Sequence, residues 1–184
     1  TVQPCNNWVV SYNTCCRNSQ ITNILNAATF SNYVETTFNN LDFPGNSSPQ
    51  FYSTPVNYYC TGVPSMKDYG AIDLDGDSLH YDLVPVLTDQ VTPIPMAPGF
   101  TYDQPLAVTS PLTLDSTNGM MLFTPSMIQV GALAYRISEY RNGVLIGTVR
   151  AEDEIVVATG ILNPDTITGR VYYDINANGV FDAS

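Results

Sequence analysis

The sequence predicts an all-β protein built on an antiparallel β-sandwich. Twelve Tyr and seven Phe, together with many Val and Thr residues, favour pleated strands. The 13 Pro and 12 Gly interrupt the chain at short intervals. Short strands separated by long Pro-rich loops are typical of a sandwich.

The strands are predicted in order from apolar runs and alternation of strand length. Residues 8–12 (WVVSY) and 33–38 (YVETTF) come first, and residues 154–158 (EIVVA) form a buried closing strand. Asn142-Gly143 between apolar flanks predicts a β-hairpin. Only residues 18–27 (NSQITNILNA) have helical spacing, which predicts one short helix.

Two segments alternate cleanly between apolar and polar residues. In SLHYDLV the residues predicted to face the core are Leu79, Tyr81 and Leu83. In LAYRI they are Leu133, Tyr135 and Ile137. His80 falls on the opposite, solvent-facing side of its strand.

Two loop-like stretches, FPGNSSPQF and TGILNPDTITG, divide the chain into three predicted pieces. We expect an N-terminal β segment (1–45), a central sandwich (46–160), and a linker with the first strand and calcium loop of a following module (161–184). The N-terminal segment either completes the central sandwich or belongs to a preceding one. The chain begins with Thr1 and shows no signal-peptide pattern, so we expect a processed or excised piece of a longer protein.

The charge balance is strongly acidic. Six Lys and Arg residues against 17 Asp and Glu give a net charge of −11. This excludes nucleic acid and anionic membrane surfaces as expected partners, because both require clustered basic residues. No apolar run approaches the roughly 20 residues of a membrane span, so no membrane insertion is expected. Divalent cations are the partners that such a surface favours.

Four cysteines, Cys5, Cys15, Cys16 and Cys60, predict two disulfides in an extracellular protein. Adjacent Cys15 and Cys16 are poorly placed to bond each other. Each is therefore expected to pair with Cys5 or Cys60, in an order that the sequence leaves open. Four reduced, buried thiols are the alternative. A zinc site is disfavoured, because there is no CxxC spacing and the chain has one His.

The chain ends in the pattern of a twelve-residue calcium loop, D-x-[DN]-x-[DN]-G. Gly179 allows its sharp turn. The expected ligands are Asp174, Asn176, Asn178, Val180 (through its backbone carbonyl) and Asp182. The twelfth position would fall just after Ser184, so we expect the chain to continue. The alternative is an Asn-Gly turn with incidental polar neighbours.

A second acidic loop, DLDGDSLHY, contains Asp73, Asp75 and Asp77. Three carboxylates within five residues repel one another unless a cation or hydrogen-bond donors lie between them. The loop is therefore either a calcium site or a solvated Asp-Gly turn.

Several stretches resemble known surface proteins. AIDLDGDSLHYDLV resembles the A-x-D-x-D-G-D-x-L-x-Y signature of cadherin-like modules in bacterial surface proteins, and NSSPQF resembles the N-x-x-P-x-F opening of a cadherin-type repeat. W-x-x-S-Y-x-x-C-C-R-N (8–18) and EYRNGVLIG resemble repeats of large adhesins of Bacteroidota, including gliding-motility adhesins exported by the type IX route. GRVYYDINANGVFD resembles the start of an SdrD-B or Cna-B type module.

This resemblance implies a tandem array of Ig/cadherin-like sandwiches displayed outside the cell. In such modules the aspartates bind calcium at the module's end, so the resemblance implies Asp73, Asp75 and Asp77 as calcium ligands. The chain departs from the pattern because it lacks an obvious glutamate-containing ligand motif, for which Glu35 and Glu139 are the candidates. The implied partners are neighbouring modules of the same chain and other copies in a filament.

The sequence offers little for catalysis, and we expect no enzyme. His80 is predicted to face solvent, and neither G-x-S-x-G nor H-E-x-x-H is present. The expected function is a non-catalytic structural repeat of an extracellular or cell-surface adhesin or filament, stiffened by calcium and disulfides. The alternative is a lectin-like module that binds a surface glycan or receptor, for which exposed tyrosines and the long loop Thr88–Pro111 are candidates.

Overall fold

The computed structural model describes residues 2–52 and 57–159, and within them the chain is all-β. One turn of 3₁₀ helix, at Ala27–Thr29, is the single helical element there. The strands are β1 (Trp8–Thr14), β2 (Asn32–Phe38), β3 (Gln50–Phe51), β4 (Tyr58–Cys60), β5 (Ser65–Asp68), β6 (Ala71–Ile72), β7 (Ser78–Val84), β8 (Thr113–Leu114), β9 (Met120–Phe123), β10 (Gln129–Arg141) and β11 (Val144–Ala158). No helix with the length and apolar character of a membrane span occurs in these residues.

Six strands form the main sheet. Its order is β1-β2-β11-β10-β7, with β4 attached to β11. All pairs are antiparallel except the short parallel pairing of β4 with β11. Along one edge, β11 pairs first with β2 (147–150) and then with β4 (156–158). Residues 151–155 lie between these two pairings and have no strand partner on that edge in the described part of the chain.

A second sheet packs against one face of the first. It has the order β5-β9-β8, and Met121 and Phe123 of β9 are buried between the two sheets. The main sheet contributes to the same core, here called the sandwich core, the side chains of Tyr81, Leu133, Tyr135, Ile137, Ile155 and Val157. This all-β arrangement of antiparallel sheets around one core is consistent with the predicted β-sandwich. The tandem array remains a prediction.

The interior strand β10 carries buried residues on both faces. The three inward residues predicted from LAYRI are at most 6% exposed. On the opposite face, Ala132 and Ala134 contact an outer cluster, which also contains Ile21, Ile24, Ala27, Val84, Val86 and Ile94. Because successive strand residues point to opposite faces, both faces of β10 need a cover. The segments 21–27 and 84–94 cover the outer face.

The two local predictions around this sheet are confirmed. In β7, Tyr81 is buried, and Leu79 and Leu83 pack against the sandwich core, whereas His80 is exposed. The β10–β11 hairpin turns at Asn142-Gly143, where φ is 53° and 80°. Positive φ at both central residues is what a type I′ hairpin turn requires.

The N-terminal strands belong to the main sheet. β2 pairs with β11 from Phe38 opposite Gly147 to Glu35 opposite Arg150, and β1 pairs with β2 along its whole length. This arrangement corresponds to the alternative in which the N-terminal segment completes the central sandwich. Of the third predicted piece, residues 160–184 lie outside the described residues.

The helix predicted over 18–27 is wrong. Ile21 and Ile24 are buried, as their spacing indicates, but Leu25 is 47% exposed. Ile24 forms an isolated β-bridge with Met96, and the N–H of Thr22 donates to a carbonyl of β10 at 2.8 Å. Hydrogen bonds to neighbouring segments therefore replace those that a helix would form, and tertiary packing overrides a weak local preference.

The predicted disulfide pairing is also wrong. Cys15 and Cys16 bond to each other, across a cis peptide bond that places their Cα atoms 3.1 Å apart. Cys5 and Cys60 are free thiols. The fold holds these two elsewhere: Cys5 forms backbone hydrogen bonds with Asn40, and Cys60 ends β4. The disulfide therefore links no separate strands.

Replacing the buried Asn23 with Ala is expected to destabilise the fold by about 3 kcal/mol. Asn23 is 0% exposed, and its amide donates to the carbonyls of Pro105 and Ala132 and accepts the N–H of Ala132, at 2.7 to 2.9 Å. Alanine leaves these backbone groups buried without partners. Urea unfolding measures the loss. The control Asn13→Ala removes one exposed hydrogen bond to Thr88 and should cost less than about 1 kcal/mol; equal losses would contradict this account.

Candidate metal centre

The loop between β6 and β7 is folded around the carboxylate of Asp73. Its Oδ1 accepts the backbone N–H groups of Asp75 at 2.9 Å and Asp77 at 3.0 Å. Gly76 has φ of 82°, a conformation that glycine adopts without steric cost. These two hydrogen bonds fix the loop and leave Oδ2 of Asp73 for other contacts.

Glu139 of β10 completes a cluster of three carboxylates. One oxygen each of Asp73, Asp77 and Glu139 lies within 4.8 Å of the other two. Glu139 occupies the next inward position after Ile137 and is 1% exposed. It lies at a β-bulge, opposite Gly147 of β11. A Cβ atom at Gly147 would be 2.9 Å from Oε2 of Glu139, so the glycine makes room for the carboxylate.

A chain of hydrogen bonds joins the cluster to the loop before β3. Nε of Arg141 donates to Oδ1 of Asp77 at 2.8 Å, and another guanidinium nitrogen donates to Oδ1 of Asn46 at 2.6 Å. Nδ2 of Asn46 in turn donates to Oε1 of Glu139 at 2.6 Å. Three segments that are distant in sequence therefore meet at this end of the sheet.

One oxygen of the cluster lacks a partner. Oδ2 of Asp73 is buried and accepts no hydrogen bond from the described residues. A buried carboxylate oxygen without a donor costs free energy, because it has lost its water and gained nothing in return. A cation bound between the carboxylates would remove this cost.

The carboxylates of the cluster differ in how well their negative charges are stabilised. Burial, aided by the nearby charges of Asp73 and Asp77, raises the pKa of Glu139 to about 7, against the opposing hydrogen bond from Asn46. Asp77 is different, because hydrogen bonding to Arg141 lowers its pKa. The one guanidinium therefore stabilises the ionised form of one carboxylate, while the buried glutamate has no comparable partner.

The donor set fits a hard cation. All three cluster residues offer carboxylate oxygens, and no His or Cys is among them. Oxygen ligands suit calcium or magnesium, whereas zinc and copper favour nitrogen and sulfur. Calcium takes roughly six to eight oxygens in flexible geometry, so an ion held by Asp73, Asp77 and Glu139 would need further oxygens from backbone carbonyls or water.

Only some of the calcium ligands predicted from the sequence lie in the carboxylate cluster. Asp73 and Asp77 join the cluster, but Oδ2 of Asp75 accepts the N–H of Ser47 at 2.6 Å. Of the two candidate glutamates, Glu139 joins it, and Glu35 lies on β2, where it accepts the hydroxyl of Tyr33 at 2.7 Å. The second predicted loop, with Asp174, Asn176, Asn178, Val180 and Asp182, lies outside the described residues.

Two residues of this network, Asn46 and Arg141, were not among the predicted ligands. Asn46 is the first residue of NSSPQF, and Arg141 lies in EYRNGVLIG. Both stretches carry the resemblance to surface-protein repeats, so a signal for their importance was present. Their bonding partners were not apparent, because the hydrogen bonds span 93 and 64 residues of sequence.

Comparisons with protein families, characterised proteins and solved structures find no match to this chain.

Without divalent cations, stability is expected to fall as the pH rises from about 5 to about 8. Glu139 is the main cause, because burial raises its pKa further than that of Glu152. The Glu139 pKa of about 7 in the folded chain lies above the ordinary value of 4.5. Between these values the folded state binds more protons than the unfolded state, so the contribution is complete below pH 4.5 and is lost as the pH passes 7.

Urea unfolding in chelator at each pH measures this slope. Glu139→Gln removes the titrating group and keeps an acceptor for Asn46, so it should flatten the dependence. The same slope in both proteins would show that another group is responsible.

Proposed function

We propose that the chain is a non-catalytic structural segment of an extracellular or cell-surface adhesin or filament, stiffened by calcium and mediating adhesion or cell contact. Calcium is proposed to bind at Asp73, Asp77 and Glu139. The single observation that carries this proposal is the buried, unpartnered Oδ2 of Asp73 beside two further carboxylates.

Calcium at this cluster would act mechanically. Asp73 and Asp77 belong to the β6–β7 loop, and Glu139 belongs to β10, an interior strand of the main sheet. An ion shared by these groups neutralises their mutual repulsion and ties the loop to the sheet. Asn46 extends the connection to the loop before β3 through its hydrogen bond to Glu139.

The charge of the chain supports this class of function. A net charge of −11 disfavours nucleic acid and anionic membranes and favours surroundings rich in divalent cations. The proposed partners are neighbouring modules of the same chain and other copies in a filament. Disulfides have no place in the stiffening, because the one disulfide joins adjacent residues.

Calcium is expected to raise the melting temperature of the chain, and Asp73→Asn should reduce this increase. A site occupied at a hundredfold excess over its Kd contributes about 2.7 kcal/mol. For a chain of this size that corresponds to a shift of roughly 5–10 °C. Asparagine at position 73 retains an acceptor for the two loop N–H groups but loses the charge that attracts the ion.

Thermal melts in millimolar calcium and in excess chelator test this. The control is Asp115→Asn, which changes an exposed aspartate that caps a turn outside the cluster, and it should keep the full calcium shift. Coincident melts of the unmodified chain with and without calcium would refute the calcium proposal.

A second candidate function is a lectin-like module that binds a surface glycan or receptor. The observation in its favour is a pocket beside the long loop, lined by Met96, Phe100, Tyr102 and Asp103 among others. Aromatic rings next to a carboxylate offer stacking and hydrogen bonding to a sugar. Saturable binding on a glycan array that Tyr102→Ala abolishes would favour this function. Calcium-dependent stiffening without glycan binding would favour the structural one.

A further inference from the structure

Lys67, Asn57 and Asp153 meet inside the sandwich, in a site separate from the carboxylate cluster. Nζ of Lys67 lies 2.8 Å from Oδ2 of Asp153 and donates to Oδ1 of Asn57. Nδ2 of Asn57 donates to Oδ1 of Asp153 at 2.6 Å. The amine therefore contacts the carbonyl oxygen of the amide, while one carboxylate contacts both the amine and the amide nitrogen.

Strand alternation places these groups inside. Lys67 lies on β5, opposite Met121, and is 3% exposed. Asp153 lies on β11, opposite the core residue Leu133, in the stretch where that edge of β11 pairs with neither β2 nor β4. Asn57 immediately precedes β4. The contact therefore connects the second sheet to the main sheet.

The surroundings exclude water and hold the carboxylate. The side chains of Lys67 and Asp153 are 2% and 8% exposed. The hydroxyl of Tyr69, which is also buried, donates to Oδ2 of Asp153 at 3.1 Å, and Nζ of Lys67 lies 5.3 Å from the centre of the Tyr69 ring. Lys67 is the sole lysine in the sequence, so its burial leaves the rest of the chain without a primary side-chain amine.

We propose that Lys67 and Asn57 form an intramolecular isopeptide bond, with Asp153 transferring the protons. A proton passes from the ammonium of Lys67 to the carboxylate of Asp153, which leaves a neutral amine. The nitrogen lone pair attacks Cγ of Asn57, and the new N–C bond forms. The bond from Cγ to Nδ2 then breaks. Nζ gives up two protons in all, both reach Nδ2 by way of Asp153, and Nδ2 leaves as ammonium, so that Asp153 is a carboxylate again. No oxidant or cofactor is required.

Each geometric feature has a part in this step. Holding the amine against the amide replaces an encounter in solution by a reaction between fixed groups. Asp153 contacts both the nitrogen that loses protons and the nitrogen that gains them, as a general base and acid must. The step occurs once per chain and needs no metal, so it does not depend on the calcium proposal.

The bond would fasten the two sheets covalently. It would join positions 57 and 67, and so tie the entry of β4, which pairs with the end of β11, to β5 of the second sheet. Unlike a disulfide, an amide bond is unaffected by reducing agents. This gives the chain a permanent crosslink between sheets, which its disulfide does not provide.

Mass spectrometry of the folded, then denatured and reduced, chain tests the proposal. The expected mass is one ammonia below that of the sequence. Chymotrypsin cleaves after Tyr58 and Tyr59, so the peptides that carry Asn57 and Lys67 should remain joined after digestion. A chain of full mass, with separate peptides, would overturn the proposal.

The position of the lost ammonia in the sequence distinguishes the isopeptide bond from succinimide formation. Asn118, Asn142 and Asn178 precede glycine, and such asparagines also lose ammonia by forming a succinimide within one peptide. Asn142→Gln is therefore a control that should retain the crosslink. Loss of water with a peptide joined to Asp153 would overturn the choice of Asn57.

Two variants test the assigned roles. Lys67→Met removes the nucleophile, and Asp153→Asn removes the proton acceptor but keeps the shape of the side chain. Both should show full mass, and circular dichroism shows whether each remains folded. A crosslink that persists in folded Asp153→Asn would overturn the role of Asp153. If neither variant folds, peptide mapping of the unmodified chain decides the existence of the bond.

Discussion

Burial of the β10–β11 hairpin is the constraint on which the rest of the structure depends. Its strands have 13 and 15 residues, the longest in the described part of the chain, and β10 is covered on both faces. Every charged side chain that the hairpin buries, on either face, must have its charge compensated, because an isolated buried charge is too costly. Three carboxylates fall at such positions: Glu139, Glu152 and Asp153.

The fold compensates two of these carboxylates with buried cations. Glu152 pairs with Arg17 at 2.7 Å and Asp153 with Lys67 at 2.8 Å, on opposite faces of β11. Glu139 receives an amide hydrogen bond from Asn46 and lies beside two further carboxylates. Arg141 pairs with Asp77 at the hairpin-turn end of β10, but Asp73 and Glu139 have no ion-pair partner among the described residues, and that imbalance distinguishes the candidate metal centre from the two buried ion pairs.

The parts of the fold that follow from local patterns could be predicted from the sequence. Alternation gave the inward faces of β7 and β10, and Asn142-Gly143 gave the hairpin, because both depend on neighbouring residues. Within the acidic loop, the pattern did not distinguish Asp75 from Asp77, since their directions depend on how the loop meets Ser47 and Arg141. Glu139 was only one of two candidates for the same reason.

The remaining features depend on contacts between distant segments. The spacing of Ile21 and Ile24 favours a helix, but their segment covers a sheet face and bonds to β10. The burial and pairing of Lys67 could likewise not be predicted from the sequence, because its ion-pair partner Asp153 comes from the other sheet. The predicted disulfide pairing rested on the strain expected between adjacent cysteines, but hydrogen bonds to Asn40 hold Cys5 and pairing with β11 holds Cys60.

The pairing of the basic side chains within the fold explains why the chain keeps a strong negative charge. Each basic residue in the described part of the chain has an acceptor: Arg17 with Glu152, Lys67 with Asp153, Arg136 with Asp82, Arg141 with Asp77, and Arg150 with the carbonyl of Pro85. Few basic groups are left to offset the remaining carboxylates, and the net charge is −11. Two such surfaces repel each other. The carboxylates of the Glu139 cluster repel one another in the same way within one sandwich, since the nearby guanidinium of Arg141 is paired with Asp77.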